Sequence, residues 1–165
     1  MTADQIKTLL KLEPHPVEGG FFRRTYTSQR SIEVERATGM ATRAMSTAIY
    51  YLLEPGTFSE MHKLDSDELF HFYLGDPVEM LQLWPDGHST LVTLGPDLEA
   101  GQHVQLLVPA GVWQGSRLIG DGKVALFGCS VTPGFDHADY TNASYEQLAD
   151  KWPERAECIR LLTRF

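Results

Sequence analysis

Two residues beside a short acidic turn are of the right types to exchange a proton. His62 precedes the turn at residues 65–67 and Glu68 follows it, in a stretch that predicts a strand, a turn and a second strand. Alternation in the second strand places four residues on one face: Glu68, Phe70, Phe72 and Leu74. A carboxylate on such an apolar face is costly to bury without a partner. The nearest partner is His62, and we predict that the two residues form the centre of a site.

Short strands position this pair. Runs rich in β-branched and aromatic residues recur at nearly regular spacing, separated by glycine or proline. Besides the two strands around the turn, the predicted strands are 21–28, 46–53, 78–84, 89–94, 103–108, 113–118 and 123–131. This pattern predicts a closed or sandwiched all-β fold. The charged segment 29–43 is predicted to be an irregular surface loop.

Helices are predicted at both ends of the chain. Thr2 and Gln5 form a capping-box pattern ahead of apolar residues at helical spacing, which predicts a short helix ending near Lys11. From Ser144 onwards, apolar residues again follow a helical period, which Pro153 interrupts. We expect these helical segments to pack outside the strands.

The spacing around the acidic turn resembles the first motif of the cupin superfamily. Gly56, His62, Glu68 and Gly75 fall in register with that motif, and Leu64 takes the place of its second histidine. Residues 109–114 match the second cupin motif, except that Gln114 stands where that motif has a histidine.

Three segments, 66–77, 109–118 and 128–136, are similar to the branch called cupin 5, and the likeness runs from about residue 19 to residue 136. The resemblance implies a double-stranded β-helix, or jelly-roll barrel, and no particular reaction. We therefore predict one cupin domain over residues 1–165, with its barrel core at about 19–136 and a C-terminal helical segment at about 144–165.

The predicted inner surface mixes apolar side chains with a few polar groups, as small-molecule sites do. A small barrel either fills its interior or encloses one ligand cavity. We predict a cavity in which His62 and Glu68 are catalytic and in which further residues bind the ligand. These predicted ligand-binding residues are Phe70, Phe72, Gln114, Ser116 and Phe135. The alternative is that Glu68 and Gln114 only satisfy each other inside a packed core.

Metal binding is a second use of the same residues. The resemblance implies three histidines and a glutamate as ligands in metal-binding cupins, and only His62 and Glu68 are present here, with Gln114 as a weak oxygen ligand. Zinc, iron and manganese sites need three or more good protein ligands. We predict no cofactor and at most weak or partial occupancy by a divalent metal.

The residue types leave three functions open. In the preferred one, His62 is a base and Glu68 an acid in a metal-independent isomerase, epimerase or lyase, as the resemblance to sugar-nucleotide epimerases without metal implies. The first alternative is a non-catalytic ligand-binding, storage or sensor protein. The second is a metal-dependent enzyme with an incomplete ligand set.

Composition restricts the partners of the chain. The net charge of −8 disfavours nucleic acids and anionic membranes, and no run of apolar residues is long enough to span a bilayer. The start of the chain lacks the pattern of a secretory signal, and Cys129 and Cys158 are best explained as reduced thiols, so we expect a cytoplasmic protein.

A homodimer is the expected assembly. Alternation turns an aromatic-rich set of residues outward: Leu69, His71, Tyr73, Trp113 and Arg117. The alternative is that this surface packs under the terminal helices. The remaining histidines, which are His15, His88, His103 and His137, have no spacing partner and are predicted at ordinary surface or turn positions.

Overall fold

The computed structural model describes residues 1–164 and consists mainly of two facing β-sheets. The strands are β1 (Glu13–Pro14), β2 (Phe21–Thr27), β3 (Ser31–Arg36), β4 (Gly39–Ala44), β5 (Thr47–Leu53), β6 (Phe58–Leu64), β7 (Asp67–Gly75), β8 (Val78–Leu83), β9 (Ser89–Leu94), β10 (Gln105–Val108), β11 (Trp113–Leu118), β12 (Ala125–Thr132) and β13 (Tyr140–Asn142). One sheet has the order β1-β2-β5-β12-β7-β10 and the other β13-β6-β11-β8-β9. The predicted jelly-roll fold is confirmed, although the two sheets do not close into a barrel.

The main core lies between the sheets. Tyr51 and Phe127 of the six-stranded sheet pack in one buried cluster with Met80 and Leu94 of the five-stranded sheet. The Phe127 ring also meets the Phe72 ring edge-on, at 5.6 Å between ring centroids. Each fully buried side chain of this size stabilises the fold by roughly 1.5–3 kcal/mol, so the inner faces hold the two sheets together.

The N-terminal helix covers the outer face of the six-stranded sheet. Helix α1 (Ala3–Leu10) begins with the predicted capping box, because the Thr2 hydroxyl accepts the Gln5 N–H and the Gln5 side chain accepts the Thr2 N–H. Ile6 of this helix is buried against Leu52 and Leu126. The predicted first helix is confirmed in position and in capping.

Two C-terminal helices cover the outer face of the five-stranded sheet. They are α2 (Tyr145–Lys151) and α3 (Ala156–Leu161), separated by a 3₁₀ turn that begins at Pro153. Trp152 and Ile159 are buried there against Met61. Trp113 is partly buried against the same cluster. For this residue the alternative prediction is therefore correct: it packs under the terminal helices instead of lying on an open outward surface. Within residues 1–164, no helix has the length and apolarity needed to cross a membrane.

The prediction of an irregular loop over residues 29–43 is wrong. Strands β3 and β4 form a separate two-stranded hairpin there, with Gly39 at a φ of 111° after its turn. Most of its side chains are exposed on both faces, so the apolar period that marks a half-buried strand is weak.

Two arginines of this hairpin attach it to the body of the protein. Arg43 binds the Asp139 carboxylate through two nitrogens at 2.7 and 2.8 Å, and Arg36 reaches the same carboxylate at 3.1 Å. The Asp139 side chain is only 4% exposed. The hairpin is therefore held by ion pairs to a buried acid rather than by an apolar face.

Strand β7 contains a bulge that changes which side chains face inward. Leu126 is paired with Leu74 and Phe127 with Phe72, which leaves Tyr73 as the extra residue. Glu68, Phe70 and Phe72 share the inner face as predicted, but the prediction for Leu74 is wrong: it is 37% exposed. One inserted residue reverses the alternation beyond it.

Candidate functional site

A cavity lies inside the fold, between the six-stranded sheet and strand β6. Strands β2, β5, β7 and β12 supply most of its wall, together with residues 15–18 and 135–137. About 50 Å³ of it is open to the centres of water-sized molecules, space on the order of three to five waters. Its lining combines apolar side chains with two carboxylates, three imidazoles and one guanidinium.

Glu68 is the buried acid of this cavity. Its Oε2 accepts a hydrogen bond from the Gln114 side chain at 2.7 Å. Burial and, to a smaller extent, the negative charge of Glu18 raise the pKa of Glu68 to about 8, against the opposing effect of the Gln114 hydrogen bond. Near neutral pH, Glu68 therefore holds a proton while it faces the cavity.

His62 lines the same cavity with a defined tautomer. Its Nδ1 lies 2.7 Å from the carbonyl oxygen of Glu60, and a carbonyl only accepts, so Nδ1 carries the proton in the neutral ring. The ring stacks on Tyr140 at 5.0 Å between centroids, which fixes its plane. Nε2 is then the ring nitrogen that can accept a proton.

Glu18 and His15 form a second acid–imidazole pair in the cavity wall. The Glu18 carboxylate accepts the Ser59 hydroxyl at 2.6 Å. The backbone N–H of Glu18 donates to Nδ1 of His15 at 2.9 Å, and Nε2 of His15 lies 3.9 Å from the Glu18 carboxylate. Burial lowers the pKa of His15 more than Glu18 raises it, so this imidazole is neutral near pH 7, with its proton on Nε2.

Backbone geometry brings Glu18 to this position. Gly19 and Gly20 follow it with φ values of 100° and 65°, a region that favours glycine. The Tyr51 hydroxyl donates to the Gly19 carbonyl at 2.9 Å and anchors the turn to strand β5. Glu18 was not predicted from the sequence, in which the two glycines that follow an acid were the available signal.

The mouth of the cavity carries positive and donor groups. Arg24 of strand β2 lies beside the Phe135 ring, with its guanidinium carbon 5.9 Å from the ring centroid. His137 meets the same ring edge-on at 5.1 Å. Thr47 is buried beneath them and accepts the backbone N–H of Phe135 at 2.9 Å.

The structure gathers some of the predicted site residues at the cavity and not others. His62, Glu68 and Phe135 line it. Gln114 and Ser116 are buried outside the lining, and Gln114 is connected to the cavity through Glu68. Phe70 and Phe72 belong to the core cluster between the sheets. A functional role for each of these residues stays a prediction.

The prediction of an ordinary surface or turn position is wrong for His15, which is half-buried in the cavity wall. His137 is exposed in a 3₁₀ turn, as predicted, and also lines the cavity. His88 and His103 are exposed, as predicted. His15 and His137 have no spacing partner because they reach the cavity from segments far apart in the chain.

The donor set does not fit a transition-metal site. Within residues 1–164, no three side chains of histidine, cysteine, aspartate or glutamate are placed together to hold a metal ion. Leu64, which takes the place of a ligand histidine, presents an apolar side chain to the cavity.

Comparison with known proteins identifies the family. The family model described as Cupin_5, cupin superfamily (DUF985), matches residues 4–143. The chain belongs to the Cupin_5 family. This result agrees with the resemblance found in the motifs around His62 and Gln114.

Relatives of this Cupin_5 chain occur in distant organisms. It is 33% identical over 135 residues to the uncharacterized protein YML079W of Saccharomyces cerevisiae, covering 75% of this chain and 67% of that protein. A hypothetical protein from Leishmania major superposes with a TM-score of 0.90 at 29% identity, over 100% of both chains. Protein SO0799 from Shewanella oneidensis gives a TM-score of 0.87 at 36% identity, over 99% of this chain and 98% of that one. These similarities establish the fold; the chemistry has to be argued from the residues.

Proposed function

We propose that this Cupin_5 protein binds a small polar metabolite in the cavity and acts on it as a metal-independent isomerase, epimerase or lyase. The observation that carries the proposal is that one cavity wall holds both the buried Glu68, whose pKa is raised to about 8, and His62, whose Nδ1 faces the Glu60 carbonyl. A ligand between them contacts an acid on one side and a base on the other.

The two groups are suited to proton transfer near neutral pH. A general acid works best when its pKa lies near the working pH, and the pKa of Glu68 is raised to about 8. The Glu60 carbonyl holds the proton of His62 on Nδ1 and so directs the Nε2 lone pair away from the backbone. Environments that separate the roles of two titratable groups are typical of acid–base sites.

The corresponding reaction is proton abstraction next to a carbonyl. Nε2 of His62 takes the proton from carbon, the C–H electron pair forms a carbon–carbon double bond, and Glu68 gives its proton to the carbonyl oxygen. Return of a proton to the same carbon from the other face yields an epimer, and return to the neighbouring carbon yields an isomer. Expulsion of a leaving group from the next carbon instead completes a lyase reaction.

Hydroxyacetone in D₂O is the probe for this reaction, because it is small, neutral and carries exchangeable C–H bonds beside a carbonyl. The wild type is expected to accelerate deuterium incorporation, followed by proton NMR, and Glu68→Gln or His62→Ala is expected to slow it by at least about tenfold. Glu79→Gln is the matched control, because Glu79 pairs with Arg117 outside the cavity lining. Exchange no faster than in buffer, or exchange that survives both cavity variants, overturns the proposed reaction. Binding of hydroxyacetone without exchange identifies the non-catalytic binding protein instead.

We also propose that the protein forms a homodimer through the outward face of strands β7 and β10. Tyr73 is 53% exposed and Leu107 is 48% exposed, and Leu107 is the register partner of Leu69. Aromatic and aliphatic side chains on one exposed face are typical of subunit interfaces. Light scattering tests this: a dimer mass at tens of micromolar supports the proposal, and a monomer mass contradicts it.

A reduced, cytoplasmic environment is proposed on the state of the cysteines. Cys129 and Cys158 are both free, and Cys129 is buried in the cavity wall. Disulfides are rare in that compartment. Mass spectrometry of the protein from cells is expected to find both thiols reduced.

A further inference from the structure

Arg24 is a cavity-lining cation without an acidic partner. Its guanidinium makes one side-chain hydrogen bond, to the Thr27 hydroxyl at 3.5 Å, and lies beside the Phe135 ring. Within residues 1–164, no carboxylate oxygen comes within 4.0 Å of it. A guanidinium has five N–H donors, so most of the hydrogen-bonding capacity of Arg24 is unused.

The two arginines of the β3–β4 hairpin, by contrast, are paired with a carboxylate. Acidic residues outnumber lysine and arginine by 22 to 14, and Arg36 and Arg43 share the buried Asp139. Burial lowers the pKa of Arg24, and no neighbouring carboxylate opposes this effect. Arg24 is exposed to solvent while it lines the cavity, so its charge is accessible to a ligand there.

Thr47 adds a second donor at the same place. Its side chain is buried, with 3% of the residue exposed, and it lines the cavity. Its oxygen accepts the Phe135 N–H, and a hydroxyl that accepts one hydrogen bond still has its own proton to donate. Arg24 and Thr47 thus offer donors of the kind that bind carboxylate or phosphate oxygens.

The inner end of the cavity has the opposite character. Glu18 and Glu68 are both there, and the negative charge of Glu18 already raises the pKa of Glu68. A second anion at that end is disfavoured by like-charge repulsion. An anionic ligand is therefore oriented, with its charged group at Arg24 and its uncharged polar group towards Glu68 and His62.

We propose that the ligand of this cavity is a small anion whose carboxylate or phosphate binds Arg24 and Thr47, while its carbonyl or hydroxyl faces Glu68 and His62. The proposal rests on the proposed function, because it assumes that the cavity holds a small molecule. It adds the substrate class: a short keto or hydroxy acid, or the corresponding phosphate, rather than a neutral polyol.

Pyruvate and hydroxyacetone form a matched pair of probes, since they differ mainly by a carboxylate in place of a CH₂OH group. Binding is measured by titration calorimetry at low salt near neutral pH, with inorganic phosphate as a third probe. Wild type is expected to bind pyruvate at least about tenfold more tightly than hydroxyacetone, and Arg24→Gln is expected to abolish that preference. Arg23→Gln is the control, because Arg23 is the neighbouring residue of β2, lies over Tyr50 and is outside the cavity lining.

The outcomes separate this proposal from the proposed function. Binding of pyruvate or phosphate that depends on Arg24 supports it, and the tighter of the two identifies a carboxylate or a phosphate as the natural group. Equal affinity for pyruvate and hydroxyacetone, or pyruvate binding that is unchanged in Arg24→Gln, overturns the anion-binding proposal. If hydroxyacetone protons still exchange in that case, the proposed proton-transfer function is retained. Absence of binding by all three probes contradicts both proposals.

Discussion

Replacing Glu68 with glutamine is expected to remove a pH dependence from the stability of the protein. The carboxyl pKa rises from 4.5 to about 8 on folding, so between these values the folded state keeps a proton that the unfolded state has released. The free energy of unfolding of the wild type therefore falls as pH rises through this range. The side chain introduced by Glu68→Gln resembles the protonated acid in shape and cannot ionise. The free energy of unfolding of this variant is therefore not expected to fall with pH in this way.

The useful window lies between about pH 6.5 and pH 8. Below it, the lowered pKa of His15 acts in the opposite direction, since that imidazole gains a proton more readily when unfolded. One pKa unit corresponds to about 1.4 kcal/mol, and integration over the window with a folded pKa of about 8 gives a loss of roughly 1.5–2 kcal/mol. For a chain of this size that is about 3–8 °C in Tm.

Urea denaturation of wild type and Glu68→Gln at several pH values across this window measures the effect. Glu33→Gln, which removes an exposed carboxyl from the β3–β4 hairpin, is the control and is expected to keep the wild-type slope. Parallel stability curves for wild type and Glu68→Gln would show that Glu68 is ionised throughout and would refute the reasoning.

Two further predictions concern metal and the attachment of the β3–β4 hairpin. Protein purified without added metal is expected to carry well under one equivalent of transition metal, because Leu64 and Gln114 replace two ligand histidines; one equivalent that survives a chelator in elemental analysis contradicts this. Asp139→Ala is expected to destabilise the fold by roughly 1–3 kcal/mol in urea denaturation, since it leaves Arg36 and Arg43 without their shared carboxylate. The exposed Asp65→Ala is the control, and equal stabilities would contradict the prediction.

Local signals predicted much of the fold. The Thr2 capping box, the hairpin around residues 65–67 and the helix interruption at Pro153 each depend on residues close together in the chain. The bulge at Tyr73 and the β3–β4 hairpin were not predicted, because neither produces a periodic pattern in the sequence. The bulge follows from the pairing of β7 with β12, and the hairpin depends on ion pairs to Asp139.

Only one side of the candidate site could be predicted from the sequence. His62 and Glu68 were predicted because they lie on two strands joined by a short turn, and alternation turns them to the same face. Arg24 lies on β2 and Glu18 lies in the segment before it. Both reach the cavity only because β2 pairs with β5. Such long-range pairing has no signature in spacing, so the second acid and the cation of the site were not found.

Titration of the Glu68 carboxyl by carbon-13 NMR tests the central claim most directly. Comparison of labelled wild type with Glu68→Gln assigns the resonance, and its chemical shift is followed from acid to mildly alkaline pH. A midpoint at about 8 is the result expected for a buried acid that holds its proton beside the cavity. A midpoint near 4.5, the ordinary value for a glutamate, would mean that Glu68 is ionised at neutral pH and cannot supply the proton.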